Sequence, residues 1–247
     1  MTKLLSPPQE AAEATSSPIA RRSFLRYSST GLALGGLLLA GCDDDSDDMG
    51  STIDVGRDDN GVLNYAYALE QLEAAFYARV QAGDYYKGAN SAEKQIFDDL
   101  ALHEKAHADF FKTVLGSNAI KALEPDFSAI NFNDRTAVLM AARTFEDLGV
   151  AAYNGAGRYI KTAAYLAIAG KIVSVEARHA ALIRDLIGYN TFVGSDVVNL
   201  FVPTSSPSTP GVGEGTGQEI SKKPTDVVNA ANAFLKEGSK LSANNLV

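Results

Sequence analysis

Two of the three histidines in this 247-residue chain follow a glutamate by three positions, in Glu104-Lys105-Ala106-His107 and Glu176-Ala177-Arg178-His179. Residues three apart share one face of an α-helix, so each pair can present a carboxylate and an imidazole to a single point. Such donors suit a divalent transition metal. Carboxylates bring charge and can bridge two cations, while one imidazole per ion leaves coordination positions open. The third histidine, His103, completes a second pattern, His103-Glu104-Lys105-Ala106-His107, which matches a zinc-protease motif in which Glu104 would be a general base and not a ligand. No third zinc ligand follows at a familiar spacing, and that pattern leaves Glu176 and His179 unexplained.

Two further segments share a different pattern. Glu70-Gln71-Leu72-Glu73-Ala74-Ala75-Phe76-Tyr77 aligns with Glu146-Asp147-Leu148-Gly149-Val150-Ala151-Ala152-Tyr153 at Glu, Leu, Ala and Tyr. After Glu104 and Glu176 the match continues through His, Ala, a base (Lys112, Arg184) and Gly (Gly116, Gly188). The chain is therefore an internally duplicated helical hairpin. Folding two such hairpins together gathers four Glu and two His, the inventory of two-metal carboxylate bundles. The predicted ligands are Glu70, Glu104, His107, Glu146, Glu176 and His179. Glu73 lies nearer the middle of its apolar stripe than Glu70, yet the repeat pairs it with Gly149, so it stands as an alternate or extra ligand. Tyr77 and Tyr153 are placed to hydrogen-bond the opposing carboxylates or to serve as core aromatics. His103 is expected beside the ligands or facing solvent.

Four helices must carry these groups. Asp58-Asp59-Asn60 offers caps for a first helix running to about Ala82 before Gly83, and Asn90 with Glu93 reads as a capping box for a second that reaches Leu115. Asn133-Asp134 starts a third that reaches roughly Tyr159, and a fourth runs from about Thr162 to Ile187. Short loops join helices 1 and 2 and helices 3 and 4. Gly116 to Asn133 lies between the pairs and, fully extended, reaches about 60 Å at ~3.3 Å per residue. A helix of about 25 residues is only about 37 Å long. The connection can cross the whole bundle, which predicts an all-α four-helix bundle with one long crossover. Beyond Gly188, residues 203 to 213 read as a flexible loop, and a short last helix near Pro224-Thr225-Asp226 places Val227, Val228, Ala231 and Leu235 on one side.

The start of the chain reads as an address. Arg21-Arg22 within Ala20-Arg21-Arg22-Ser23-Phe24-Leu25-Arg26 resembles the twin-arginine export motif, and the apolar stretch Gly31 to Gly41 is too short to span a bilayer. Leu39-Ala40-Gly41-Cys42 resembles a lipobox, whose Cys is acylated, and Cys42 is the chain's only cysteine. An acidic run follows, unable to bury itself. The expected organisation is a signal peptide over 1–41, a lipidated acidic tether over 42–59, the bundle over 60–190 and an extension over 191–247. A formal charge of -8 argues against nucleic-acid binding.

The Glu/His pattern and the crossover make residues 60–190 resemble the ferritin-like superfamily. The twin-arginine start and the closing Pro224-Thr225-Asp226-Val227-Val228 through Phe234-Leu235 resemble its ferritin-like-domain or desiccation-related branch. The resemblance implies two iron ions, with manganese as the alternative, and chemistry with oxygen or peroxide at a membrane to which an N-terminal lipid holds the chain. The competing expectation is a stress-protective bundle that uses metal only for stability. Homo-oligomerisation stays open, although the lipid and the long tail argue against a closed storage cage.

Overall fold

The computed structural model describes residues 52–204 and 213–246. Cys42, Arg21 and Arg22, and with them the signal, the lipid site and the acidic run, lie outside the described residues. The elements in chain order are β1 (Ile53–Asp54), α1 (Asp58–Ala82), α2 (Asp84–Gly88), α3 (Ser91–Leu115), α4 (Arg135–Ala156), α5 (Ala163–Ile187), β2 (Val202–Pro203), β3 (Gly213–Glu214), α6 (Pro224–Ala231) and β4 (Leu241–Ser242). The four long helices are those read from the sequence. α1 packs on α3 and α4 on α5, as two antiparallel hairpins, and α1 against α4 joins the halves. No helix of the described residues is long and apolar enough to cross a membrane.

Side-chain caps explain where two of the four long helices begin. Asn90 accepts the Glu93 backbone N–H at 2.9 Å and Asp134 accepts that of Ala137 at 2.7 Å, each satisfying one of the donors a helix start leaves free. The first helix differs from expectation. Asp58 and Asp59 lie inside α1, whose N-cap is Arg57 without a side-chain bond. Asp59 instead receives the backbone N–H groups of Lys161 (2.7 Å) and Thr162 (2.9 Å), tying the start of α5 to the start of α1. The α1–α3 connection is also more than a loop. It holds α2, whose Tyr85 and Tyr86 hydroxyls donate to Glu93 and Asp98 of α3 at 2.6 Å.

Every residue from Gly61 to Glu70 is buried, so α1 lacks the polar outer stripe of a surface helix. The crossover covers that side. Asn64 donates to Asn118 O and accepts from Ile120 N, both at 2.9 Å, and Gln71 accepts from Leu123 N at 3.0 Å. Further along, Phe127 packs edge-on and Phe132 tilted against Phe76, with ring centroids 5.9 Å apart in both pairs. The connection therefore runs along α1 as its length allows.

The C-terminal extension shares the bundle's core. Val227, Val228, Ala231 and Leu235 are all buried there, as the one-sided pattern predicts. Gly155 permits the approach, because a Cβ at that position would sit 1.7 Å from the Lys222 carbonyl oxygen. Two expectations need correction. The tether does not continue to residue 59, since Val55 is buried and β1 pairs in parallel with β4, with Ile53 N donating to Lys240 O at 2.7 Å. The segment 203–213 is not a free loop at its ends, because β2 and β3 pair antiparallel, Pro203 opposite Gly213. Residues 205–212 between them lie outside the described residues.

Candidate metal centre

All six residues read as ligands meet in the middle of the bundle. Glu70 comes from α1, Glu104 and His107 from α3, Glu146 from α4, and Glu176 and His179 from α5. They form two sets, Glu70–Glu104–His107–Glu176 and Glu104–Glu146–Glu176–His179, in each of which one donor atom per residue lies within 4.8 Å of the others. Glu104 and Glu176 belong to both sets. The four carboxylates are 0% exposed, a cost no chain bears without compensation.

The pairing crosses between hairpins. His107 Nδ1 lies 2.8 Å from Glu176, and His179 Nδ1 lies 2.8 Å from Glu104. Each imidazole is farther from the carboxylate on its own helix, at 3.4 Å in both cases. Tyr77 of α1 donates its hydroxyl to Glu146 Oε1 of α4, and Tyr153 of α4 donates to Glu70 Oε1 of α1. The tyrosines thus hold the opposing carboxylates, one oxygen each.

The remaining donor atoms test whether a metal fits. Glu70 Oε2, Glu146 Oε2, both oxygens of Glu104 and Glu176, and Nδ1 of His107 and His179 are buried and make no well-aligned hydrogen bond. Their nearest polar neighbours are one another, and buried polar atoms are almost always well bonded, so this convergent set of donor atoms suits a cation held between them. Each set holds an imidazole, one carboxylate of its own and two shared ones, and four carboxylates nearly balance two divalent cations. The donors fit a pair of transition-metal ions.

Electrostatics agree with a site built for positive charge. Burial pushes the Glu70 carboxyl well above its usual range, with Glu176 and Glu104 adding to the effect and His107 opposing it. Glu146 is pushed up to about 8, again chiefly by burial. For Glu104 burial is outweighed by His107 and His179, which hold the carboxyl down to about 2. Burial alone would make both imidazoles less basic, but the surrounding carboxylates raise each to about 12. Without metal, two imidazolium groups supply the positive charge.

Glu73 is buried beside the cluster but belongs to neither set. Burial and the charges of Glu104, Glu176, Glu146 and Glu70 push its carboxyl well up. A Cβ on Gly149 would come within 3.0 Å of Glu73 Oε1, which gives the repeat's Glu-to-Gly mismatch a steric reason. His103 is also in neither set. It is exposed, yet its Nδ1 lies 2.9 Å from His179 Nε2 and the rings stack at 5.1 Å. When His179 offers Nδ1 as a ligand, its Nε2 carries the proton and donates to His103, which fixes the ring's tautomer.

Sequence reasoning missed one group nearby. Arg184 makes two 2.7 Å bonds to Asp147 and reaches Asp196 at 2.8 Å, and Arg143 pairs with the same two acids. The available signal was the base at the repeat position shared with Lys112, but Asp196 follows α5 where no periodicity points to it.

Two helical hairpins joined by a bundle-length crossover, with a carboxylate-rich interior, define a protein of the ferritin-like class. Residues 58–189 match the model of the ferritin-like domain family, and the chain belongs to that family. No curated protein matches the chain.

Proposed function

We propose that this chain is an exported, lipid-anchored ferritin-like protein that holds two metal ions and performs redox or metal-handling chemistry with oxygen or peroxide in the cell envelope. Iron is the favoured metal and manganese the alternative. The observation that carries the reading is the set of orphaned, buried donor atoms arranged in two groups that share Glu104 and Glu176. Held by Glu70, Glu104, His107, Glu146, Glu176 and His179, an iron pair would supply electrons for reducing an oxygen species. The chain's residues do the rest: Tyr77 and Tyr153 each anchor one carboxylate oxygen and leave the other free, and His103 orients His179. Glu73 stands by as a further carboxylate.

Export and anchoring rest on Arg21-Arg22 and on Cys42 after Leu39-Ala40-Gly41. The proposed organisation keeps the signal at 1–41 and starts the folded unit near residue 52, since β1 and Val55 are part of the core. The desiccation-related branch remains the favoured affiliation within the family.

Metal counting with turnover tests the reading. The purified protein should hold close to two ions per chain and oxidise ferrous iron with oxygen or peroxide, and His107→Ala or His179→Ala should lower both. Two ions without turnover would favour the protective bundle, visible only as a melting temperature raised by metal. One zinc ion insensitive to His179→Ala would favour the protease.

A further inference from the structure

The duplication supplies an internal control for packing. In the frame that aligns Glu70 with Glu146 and Glu104 with Glu176, Phe76, Val80 and Phe97 fall on Ala152, Ala156 and Ala169, and Phe145 falls on Leu69. The four larger residues fill the bundle around Tyr77. Phe76, Val80 and Phe97 are 0% exposed and Phe145 is 2%, with Phe76 and Phe145 rings 4.8 Å apart and Tyr77 and Phe97 rings 6.3 Å apart. The four smaller counterparts all line one cavity beside Tyr153. Tyr65 and Phe111, which also line the cavity, are larger than their counterparts Ala141 and Ile183, but the small residues at the four positions above leave space beside Tyr153 that larger ones would close.

No charged side chain lines this cavity. Ala66, Leu69, Ala152 and Ala156 are buried in its floor, whereas Phe110 and Tyr165 are half-buried and form its rim toward solvent. Its volume of about 20 Å³ exceeds the roughly 10–15 Å³ that one water molecule needs, so it has room for a very small guest. Its inner wall is Tyr153, whose hydroxyl donates to Glu70 of the metal centre. Apolar cavities of this kind stay dry and take up small nonpolar guests. The Tyr65 hydroxyl, on the same wall, has no hydrogen-bond partner among the described residues. One hydroxyl cannot satisfy both donors and both acceptors of hydrogen peroxide, which would enter at the cost of unmade hydrogen bonds.

We infer that the cavity bounded by Ala152, Ala156, Ala169 and Tyr153 is a binding pocket for dioxygen, from which it reaches the metal centre past Tyr153. The inference rests on the metal-centre reading above and selects dioxygen over peroxide as the guest of this pocket. The overall step balances with ferrous iron as reductant: two ferrous ions become ferric, and one dioxygen takes the two electrons with two protons and leaves as hydrogen peroxide.

Xenon is the probe for the pocket, in pressurised crystals or by xenon NMR of the metal-free full chain. Xenon should occupy the cavity of the wild type and be lost in Ala169→Phe, which restores the repeat's phenylalanine. In the same variant, ferrous oxidation by dioxygen should slow about tenfold or more while anaerobic oxidation by hydrogen peroxide changes less than about twofold. Ala156→Val, a smaller filling, should act in the same direction and guards against misfolding of the first variant. An empty cavity in the wild type overturns the inference, as does equal slowing with both oxidants. Xenon binding without iron oxidation by either oxidant removes the metal-centre reading and the pocket's supply role with it, whereas iron oxidation without xenon binding removes the pocket alone.

Discussion

At the repeat positions of His103, Glu73 and Phe97 in the first hairpin, the second hairpin has Val175, Gly149 and Ala169. Over the same stretch Glu70 and Glu146, Glu104 and Glu176, His107 and His179, and Tyr77 and Tyr153 are unchanged. The unchanged residues meet at one point or hold those that do, and each completes a set to which the other hairpin also contributes. Of the changed residues, His103 and Glu73 lie within a turn of a donor, and Phe97 lies two turns before Glu104, beside Tyr77. The difference teaches that the two-fold frame fixes the donors and leaves their surroundings free, so the two halves of the centre become chemically unequal. One imidazole leans on another histidine, one end carries a spare carboxylate, and one end is packed with aromatic rings while the other holds a cavity.

Removing a shared donor should break both halves at once. Glu104→Ala or Glu176→Ala should abolish binding of both ions, whereas Glu146→Ala should spare the ion on the Glu70–His107 side; elemental analysis after dialysis distinguishes the two patterns. Equal loss from all three variants would show that the sets do not share donors.

Acidity should sharpen the same point with a smaller effect. In the metal-free chain His107 and His179 are raised from the ordinary ~6.5 to about 12, so the stability they contribute is complete below pH ~6.5 and is lost as pH rises above it. Glu146, raised to about 8, likewise makes the folded chain less stable as pH climbs from its ordinary value toward 8. Glu104, held to about 2, contributes fully above its ordinary value of 4.5 and loses that contribution as pH falls from there toward 2. The melting temperature of the metal-free protein should therefore fall between pH 5 and pH 8, by about 2–4 °C for each kcal/mol. Metal must displace the same protons, so the gain in melting temperature on adding metal should grow over that interval. Calorimetry at a series of pH values with and without metal reads both slopes, and parallel curves would contradict the account.

The smallest effect belongs to His103. Its loss in His103→Ala should weaken the ion beside His179 by about tenfold, the usual size of an outer hydrogen bond's effect, and leave the ion beside His107 unaffected. Titration with a metal indicator that resolves two affinities measures this.

The long helices and the convergence of the six Glu and His side chains were legible because both follow from one helix period. A Glu three residues before a His must share its face, and the repeat then says which Glu of the first helix to choose. The crossover was legible from length alone. What escaped depends on contacts between segments distant in sequence. Asp59 reads as a cap for its own helix but serves α5, the far side of a bundle that the sequence places only roughly. The joining of β1 to β4 brings residue 53 to residue 241, a pairing no local pattern announces. The His103–His179 contact belongs to the same class, because it requires α3 and α5 to meet face to face.

Anomalous diffraction from crystals of the metal-loaded protein, recorded across the iron and manganese edges, tests the central claim most directly. The account predicts two peaks flanked by Glu104 and Glu176, one beside Glu70 and His107 and the other beside Glu146 and His179. A single peak between His103 and His107, or none within the bundle, would contradict it.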